Sequence, residues 1–151
     1  MEYASIEREI RIAAAPEVVF EVVSSPEHLK DWWTDEAEYT PIPGSSGRIG
    51  FHQDGGGVEW EQFTVVDAQP PRMFSFRWTH AEGEEAAQGN SFLVVFELEP
   101  DGDGTVLRMT ETGFRERGWT EAVAAQAHAD HVSGWDFFLP RLPAAAEKAA
   151  R

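Results

Sequence analysis

The sequence predicts an α+β fold in which a curled antiparallel sheet wraps around a long C-terminal helix. Three patterns support this prediction. The chain opens with alternating apolar and polar residues, residues 36–114 contain strand-like segments separated by turns, and apolar residues recur at helical spacing after residue 118. The 151 residues are enough for one domain, and no repeat or linker divides them. We therefore predict a single domain over residues 1–151.

Two short helices are predicted after the first strand. Residues 6–12 alternate as expected for a half-buried strand. Pro16 and Pro26 each stand where a first helical position would lie, a position that tolerates the missing N–H of proline. Ser25 is placed to cap the second helix, which leads into Trp32-Trp33.

The middle of the chain is typical of an antiparallel meander. Glycine-rich segments at 54–57 and 101–104 predict hairpins, and Pro70-Pro71 separates two further strands. Strands joined by hairpins pair antiparallel. On alternation, the large apolar residues of two strands share one face each: Phe74, Phe76 and Trp78, then Phe92, Val94, Phe96 and Leu98.

The C-terminal part predicts one long helix with a buried stripe. The stripe residues recur at spacings of three and four: Trp119, Val123, Ala127, His131, Trp135, Phe138 and Leu142. Pro140 and Pro143 predict a kink or an early end near residues 136–140, with residues 144–151 as a fraying tail. Gly134 is expected to allow a close approach to the sheet beside Trp135. A single helix cannot cover a broad twisted sheet, so the sheet must curl and enclose a core or a cavity.

Composition excludes several classes of function. Twelve Lys and Arg against 27 Asp and Glu give a net charge of −15, which disfavours nucleic acid, anionic membranes and acidic substrates as partners. Cysteine is absent, so thiol catalysis and thiolate metal sites are excluded. No apolar run could span a membrane, and the first residues lack the features of a secretory signal. We expect a cytoplasmic protein.

Several segments together resemble the START-like, or SRPBCC, superfamily, and within it the branch homologous to the C-terminal domain of the heat-shock chaperone ATPase activator. The segments that carry the resemblance are 15–20, 26–29 with Trp32-Trp33, 47–51, 70–78, 104–107, 111–114, and 134–142. They cover essentially the whole chain. The resemblance implies a helix-grip fold with a hydrophobic cavity between the sheet and the long helix, and it carries over no catalytic residue.

Three functions remain open on this resemblance. We expect non-catalytic binding of a small, largely apolar ligand, as a carrier or sensor. The alternatives are a cavity enzyme of the aromatase or cyclase type and a chaperone-interacting module. We expect no cofactor and either a monomer or a homodimer. The fold alone does not choose between these functions, because function depends on the site.

The candidate cavity residues follow from face alternation on the strands and from the stripe on the helix. Six Trp and ten Phe supply more apolar surface than one helix needs to cover. The predicted ligand-binding residues are Trp33, Phe51, Trp60, Phe76, Trp78, Phe92, Phe96, Met109, Glu111, Trp135 and Phe138.

Two polar features interrupt the apolar pattern of the interior-facing positions. Glu111 shares the parity of Leu107 and Met109, so it faces the interior, either at a wet strand end or as the polar anchor of the cavity. Residues 128–131 (His-Ala-Asp-His) invite a metal interpretation, but only His131 lies on the stripe and no third ligand is indicated. We therefore expect no metal site, with one histidine half-buried and the other solvated.

Overall fold

The computed structural model describes residues 5–151 and contains seven strands and four α-helices over that range. In chain order the elements are β1 (Ser5–Ile12), α1 (Pro16–Ser24), α2 (Pro26–Trp32), β2 (Glu36–Glu38), β3 (Ser46–His52), β4 (Val58–Gln69), β5 (Met73–Trp78), β6 (Phe92–Asp101), β7 (Gly104–Thr112), α3 (Glu121–Phe138), a 3-10 turn (Leu139–Arg141) and α4 (Leu142–Ala149). The predicted α+β helix-grip architecture is confirmed.

The strands form one antiparallel sheet in the order β1-β7-β6-β5-β4-β3-β2. Strands β3 to β7 pair with their sequence neighbours, as a meander should, and β1 closes the sheet beside β7. One row of paired residues crosses five strands on the inner face: Ile6, Glu111, Val94, Phe76 and Val65. The inner face is therefore apolar in this row except at Glu111.

Helices α1 and α2 cover one end of the inner face. Both begin at the predicted prolines, and Ser25 is the N-cap of α2, although its side chain makes no capping hydrogen bond. Trp32 is fully buried at the end of α2, and its indole N–H donates to the carbonyl of Val22 at 3.1 Å. This bond joins the two helices and satisfies the one polar group that the indole buries.

The C-terminal region follows the prediction only in part. Helix α3 ends at Phe138 and the chain turns through Leu139–Arg141, so the break falls where the prolines predicted it. Residues 144–151 are not a fraying tail as predicted: α4 buries Leu142, Ala145 and Ala146. The tail prediction was wrong because Pro143 lies in the first turn of a new helix, where proline is tolerated.

The predicted stripe also fails at its N-terminal end. Trp119 precedes α3, whose N-cap is Thr120, and it is 37% exposed. Val123 is 50% exposed, and its neighbour Ala124 is buried instead. Trp135 and Leu142 at the other end of the stripe are buried. Of the predicted stripe residues, it is therefore those towards the C-terminal end that are buried.

Candidate functional site

A buried carboxylate lies on the inner face, near the C-terminal end of β7. Glu111, on β7, is 0% exposed and accepts three hydrogen bonds. The indole N–H of Trp78 donates to Oε2 at 2.8 Å, and the indole N–H of Trp135 donates to Oε1 at 2.9 Å. Nδ1 of His131 also contacts Oε1, at 2.7 Å. One side chain thus fixes three rings.

Secondary structure explains how the three rings reach one carboxylate. His131 and Trp135 are four residues apart on α3, so both side chains lie on the same face of the helix. Trp78 is the last residue of β5 and points to the inner face, where it pairs with Phe92 of β6. Burial of a carboxylate costs several kcal/mol unless its oxygens are hydrogen-bonded, and these donors meet that need.

A cavity of about 110 Å³, open to solvent on one side, lies next to this cluster, between α3 and the sheet. Its wall is largely aromatic. The residues that line it are Trp33, Phe51, Trp78, Asp130, His131, Gly134, Trp135 and Phe138. Glu111 is behind this wall and holds three of its rings, Trp78, His131 and Trp135, in place.

Aromatic rings fill most of the remaining interior. Trp33 lies in the middle, with ring centroids 5.0 Å from Trp135, 5.2 Å from Trp78 and 5.7 Å from Phe76. Phe76 in turn stacks on Phe63 at 4.3 Å. The space enclosed by the curled sheet is therefore mostly packed core, and Trp33 is both part of that core and part of the cavity wall.

The predicted site residues separate into three groups in the structure. Trp33, Phe51, Trp78, Trp135 and Phe138 line the cavity. Phe76, Phe96 and Met109 are fully buried core residues outside the lining, and Phe92 packs against the ring of His131 at 4.5 Å. Glu111 faces the interior as expected, but it contacts the rings of the wall and does not itself line the cavity.

Trp60 is the exception, because it lies on the outer face of the sheet. Side chains alternate along β4, and Phe63 and Val65 are the buried ones, so Trp60 must point outward. Its ring lies over Gly50 of β3, where a Cβ atom would come within 2.9 Å, and Arg48 stacks on it at 3.7 Å. The prediction that Trp60 lines the cavity was wrong, because Trp60 has the opposite parity to the buried residues Phe63 and Val65 of β4.

Three lining residues were not predicted: Asp130, His131 and Gly134. His131 was visible on the stripe, but its partner Glu111 is 20 residues away, and only the fold brings them together. The expected role of Gly134 was also wrong. A Cβ atom there would meet nothing within 4 Å, so this glycine borders open space and does not permit a close helix–sheet approach.

Charged groups gather near the same end of the sheet. The guanidinium of Arg117 donates to Oγ1 of Thr79 at 2.7 Å and lies over the ring of Phe92. Burial raises the pKa of the Glu61 carboxyl, the charge of Glu59 adds to the shift, and His131 and Arg117 oppose it. This end of the inner face is thus the polar one.

The histidines of α3 do not form a metal site in the described residues. His128 contacts the carbonyl oxygen of Ser5 at 2.9 Å, whereas His131 contacts Glu111. Over residues 5–151, no three His, Asp, Glu or Cys side chains cluster as metal ligands would. In the same range, no helix is long and apolar enough to span a membrane.

Solved structures with this fold come from several bacteria. A protein of Nitrosomonas europaea (NE0264) has a TM-score of 0.79 at 14% identity, over 98% of this chain and 97% of that one. The Aha1 protein of Colwellia psychrerythraea, solved as a dimer, has a TM-score of 0.67 at 25% identity, over 97% and 98%. CalU16 of Micromonospora echinospora has a TM-score of 0.60 at 17% identity, over 97% and 83%. At these identities the likeness establishes the fold.

Comparison at the level of families is more decisive. No functionally curated protein matches the chain. The family model described as "Activator of Hsp90 ATPase homolog 1-like protein" matches residues 13–147, which is nearly the whole chain. All the segments that suggested the START-like superfamily, from 15–20 to 134–142, lie within this match. The chain belongs to the family of Activator of Hsp90 ATPase homolog 1-like proteins.

Proposed function

We propose that the protein binds a small, largely apolar molecule, as a carrier or sensor, in the cavity between α3 and the sheet. The observation that carries this proposal is the wall itself. Apart from Asp130, His131 and Gly134, the lining residues are Trp or Phe. A concave apolar wall with a few polar groups is the usual form of a small-molecule site.

The volume of the cavity limits the size of the ligand. About 110 Å³ is somewhat less than the ~150 Å³ of an engineered apolar cavity that binds benzene. Because the cavity is open on one side, a single six-membered ring is the largest group that it can cover without movement of the wall. We expect monocyclic aromatic molecules to bind better than fused or extended ones.

Glu111 supports binding indirectly, through the rigidity of the wall. Hydrogen bonds from Trp78 and Trp135 hold both indoles on the same carboxylate, so their orientations are set before a ligand enters. A preorganised wall lowers the entropy cost of binding. This role gives a function to a carboxylate that is buried among apolar residues.

Thermal unfolding with toluene tests the proposal. A ligand at ten times its Kd stabilises a protein by about 1.4 kcal/mol, which corresponds to a rise in Tm of roughly 3–6 °C at this size. We expect such a rise with toluene. With naphthalene, at the same fraction of its aqueous solubility, the rise in Tm should be smaller. An unchanged Tm with toluene up to saturation would overturn the proposal.

A matched pair of leucine variants locates the binding site. Gly134→Leu places a side chain in the open space beside the cavity wall, and we expect it to abolish the toluene effect. Ser133→Leu introduces the same side chain at the adjacent exposed position and should leave the effect unchanged. Equal toluene stabilisation in both variants would place binding elsewhere on the protein.

A second candidate, acid–base catalysis on a bound molecule, is favoured by the contact between Glu111 and His131. A carboxylate that holds an imidazole at Nδ1 leaves Nε2 available for proton transfer, as in catalytic triads. Mass spectrometry of any co-purified molecule, before and after incubation with the protein, distinguishes the two functions. Binding leaves the mass unchanged, and catalysis produces a new species.

A further inference from the structure

We infer that Nε2 of His131 is the polar contact of the cavity and that the preferred ligand is a phenol, whose hydroxyl forms a hydrogen bond with it. This inference rests on the proposed binding function and adds to it a chemical class of ligand. It follows from the protonation pattern around Glu111, from the packing of the imidazole, and from the polar groups in the cavity wall.

The contacts of Glu111 assign the proton on the imidazole. Trp78 and Trp135 present N–H groups that can only donate, which favours the ionised carboxylate as their acceptor. An ionised carboxylate accepts and cannot donate, so Nδ1 of His131, at 2.7 Å, carries the hydrogen of that bond. The other nitrogen, Nε2, is then free for a second hydrogen bond, as an acceptor in the neutral ring and as a donor in the charged ring.

The packing of the imidazole limits where Nε2 of His131 can lie. The imidazole contacts the rings of Phe92, Phe114 and Trp78, with centroids 4.5, 5.2 and 5.4 Å away. The His131 side chain is 17% exposed and lines the cavity. Among residues 5–151, the hydrogen bond of the His131 ring is the one at Nδ1. A ligand in the cavity can therefore supply a partner for Nε2.

The other polar groups of the wall favour a hydroxyl on the ligand. The carboxylate of Asp130 is an acceptor of hydrogen bonds, and the indole N–H of Trp33, in the same wall, is a donor. A hydroxyl can both donate and accept, which an alkyl group cannot do and an arylamine does poorly. Phenol also matches the single-ring limit of the cavity.

Phenol and toluene form the test, because they differ only in a hydroxyl against a methyl group on the same ring. We measure Kd for both by calorimetry with the wild-type chain, His131→Phe and His131→Asn. Phenylalanine keeps an aromatic ring and removes both nitrogens. Asparagine keeps an N–H near the position of Nδ1 for Glu111 and removes Nε2. Both variants should lower the affinity for phenol relative to toluene by about three- to tenfold, the worth of one hydrogen bond.

The outcomes separate this inference from the proposed function. A phenol-to-toluene affinity ratio that is the same in the wild type and in His131→Asn overturns the inference, while toluene binding still supports the proposed function. Binding of neither probe to the wild type overturns the proposed function. Long-range ¹⁵N–¹H NMR of the ligand-free protein gives a further check that needs no variant. We expect the proton on Nδ1, and a proton on Nε2 alone would overturn the inference.

Discussion

The two ends of β7 bury their residues in different ways. Leu107 pairs with Ile10 and Leu98, so this row of the inner face is aliphatic, and α1, α2 and α4 close that end of the molecule. Four residues further on, Glu111 lies in a row with Ile6 and Val94, yet its carboxylate is hydrogen-bonded by rings from β5 and α3.

The two ends of the same interior are therefore stabilised in different ways, one by apolar packing and the other by directional hydrogen bonds. The aliphatic end needs only side chains of suitable volume, because dispersion and burial are not directional. The Glu111 end needs donors at defined positions, because an unmet buried carboxylate is costly. The cavity lies beside the second end, where orientation is set most strictly.

The largest expected effect comes from Trp135→Ala, which breaks the Glu111 end. The change removes a buried indole and one donor to the carboxylate, so the free energy of unfolding should fall by about 3–5 kcal/mol. Phe137→Ala is the control, since Phe137 is on the same helix and 64% exposed. It should change stability by less than about 0.5 kcal/mol. Equal losses in urea unfolding would contradict the assigned role of Trp135.

A pair of nearly isosteric changes sharpens the comparison between the two ends. Glu111→Gln removes the charge from three hydrogen bonds and leaves one amide N–H₂ facing a donor, so we expect a loss of about 2–3 kcal/mol. Met109→Leu, two residues before it on the same face, keeps volume and polarity and should cost less than about 1.5 kcal/mol. A larger loss in Met109→Leu would show that packing, not hydrogen bonding, dominates here.

The smallest expected effect concerns Glu61, at the polar end. Burial raises its pKa in the folded state, so the folded protein holds the proton to higher pH than the unfolded chain. Stability from this group is present at low pH and falls as pH rises through the folded pKa. Glu61→Gln should therefore be more stable than the wild type at pH 7, by less than about 1 kcal/mol because the side chain is only half-buried.

Unfolding at two pH values checks this prediction. The gain from Glu61→Gln should disappear at pH 3, where both the folded and unfolded states are protonated. Glu82→Gln, in the exposed loop after β5, is the control and should show no difference between the two pH values. A destabilised Glu61→Gln at pH 7 would mean that the attraction of His131 and Arg117 outweighs burial.

Much of the fold could be predicted because its signals are local. The prolines at 16 and 26 began two helices, and face alternation placed Trp78, Phe92 and Glu111 on the inner face. Local signals also misled. Pro143 predicted a tail where α4 lies. A proline breaks the interior of a helix but is tolerated in its first turn, and the sequence alone does not show which of the two positions Pro143 occupies.

The sequence by itself determined which residues face inward, since alternation along a strand and spacing along a helix are properties of the chain. Tertiary structure decided which of those residues meet. The contacts of Glu111 with Trp78, His131 and Trp135 join residues 20 to 33 positions apart, through sheet pairing and the docking of α3. The size of the cavity was decided in the same way, because residues from α3, the sheet and the end of α2 line it together, and packing is a property of all the neighbours.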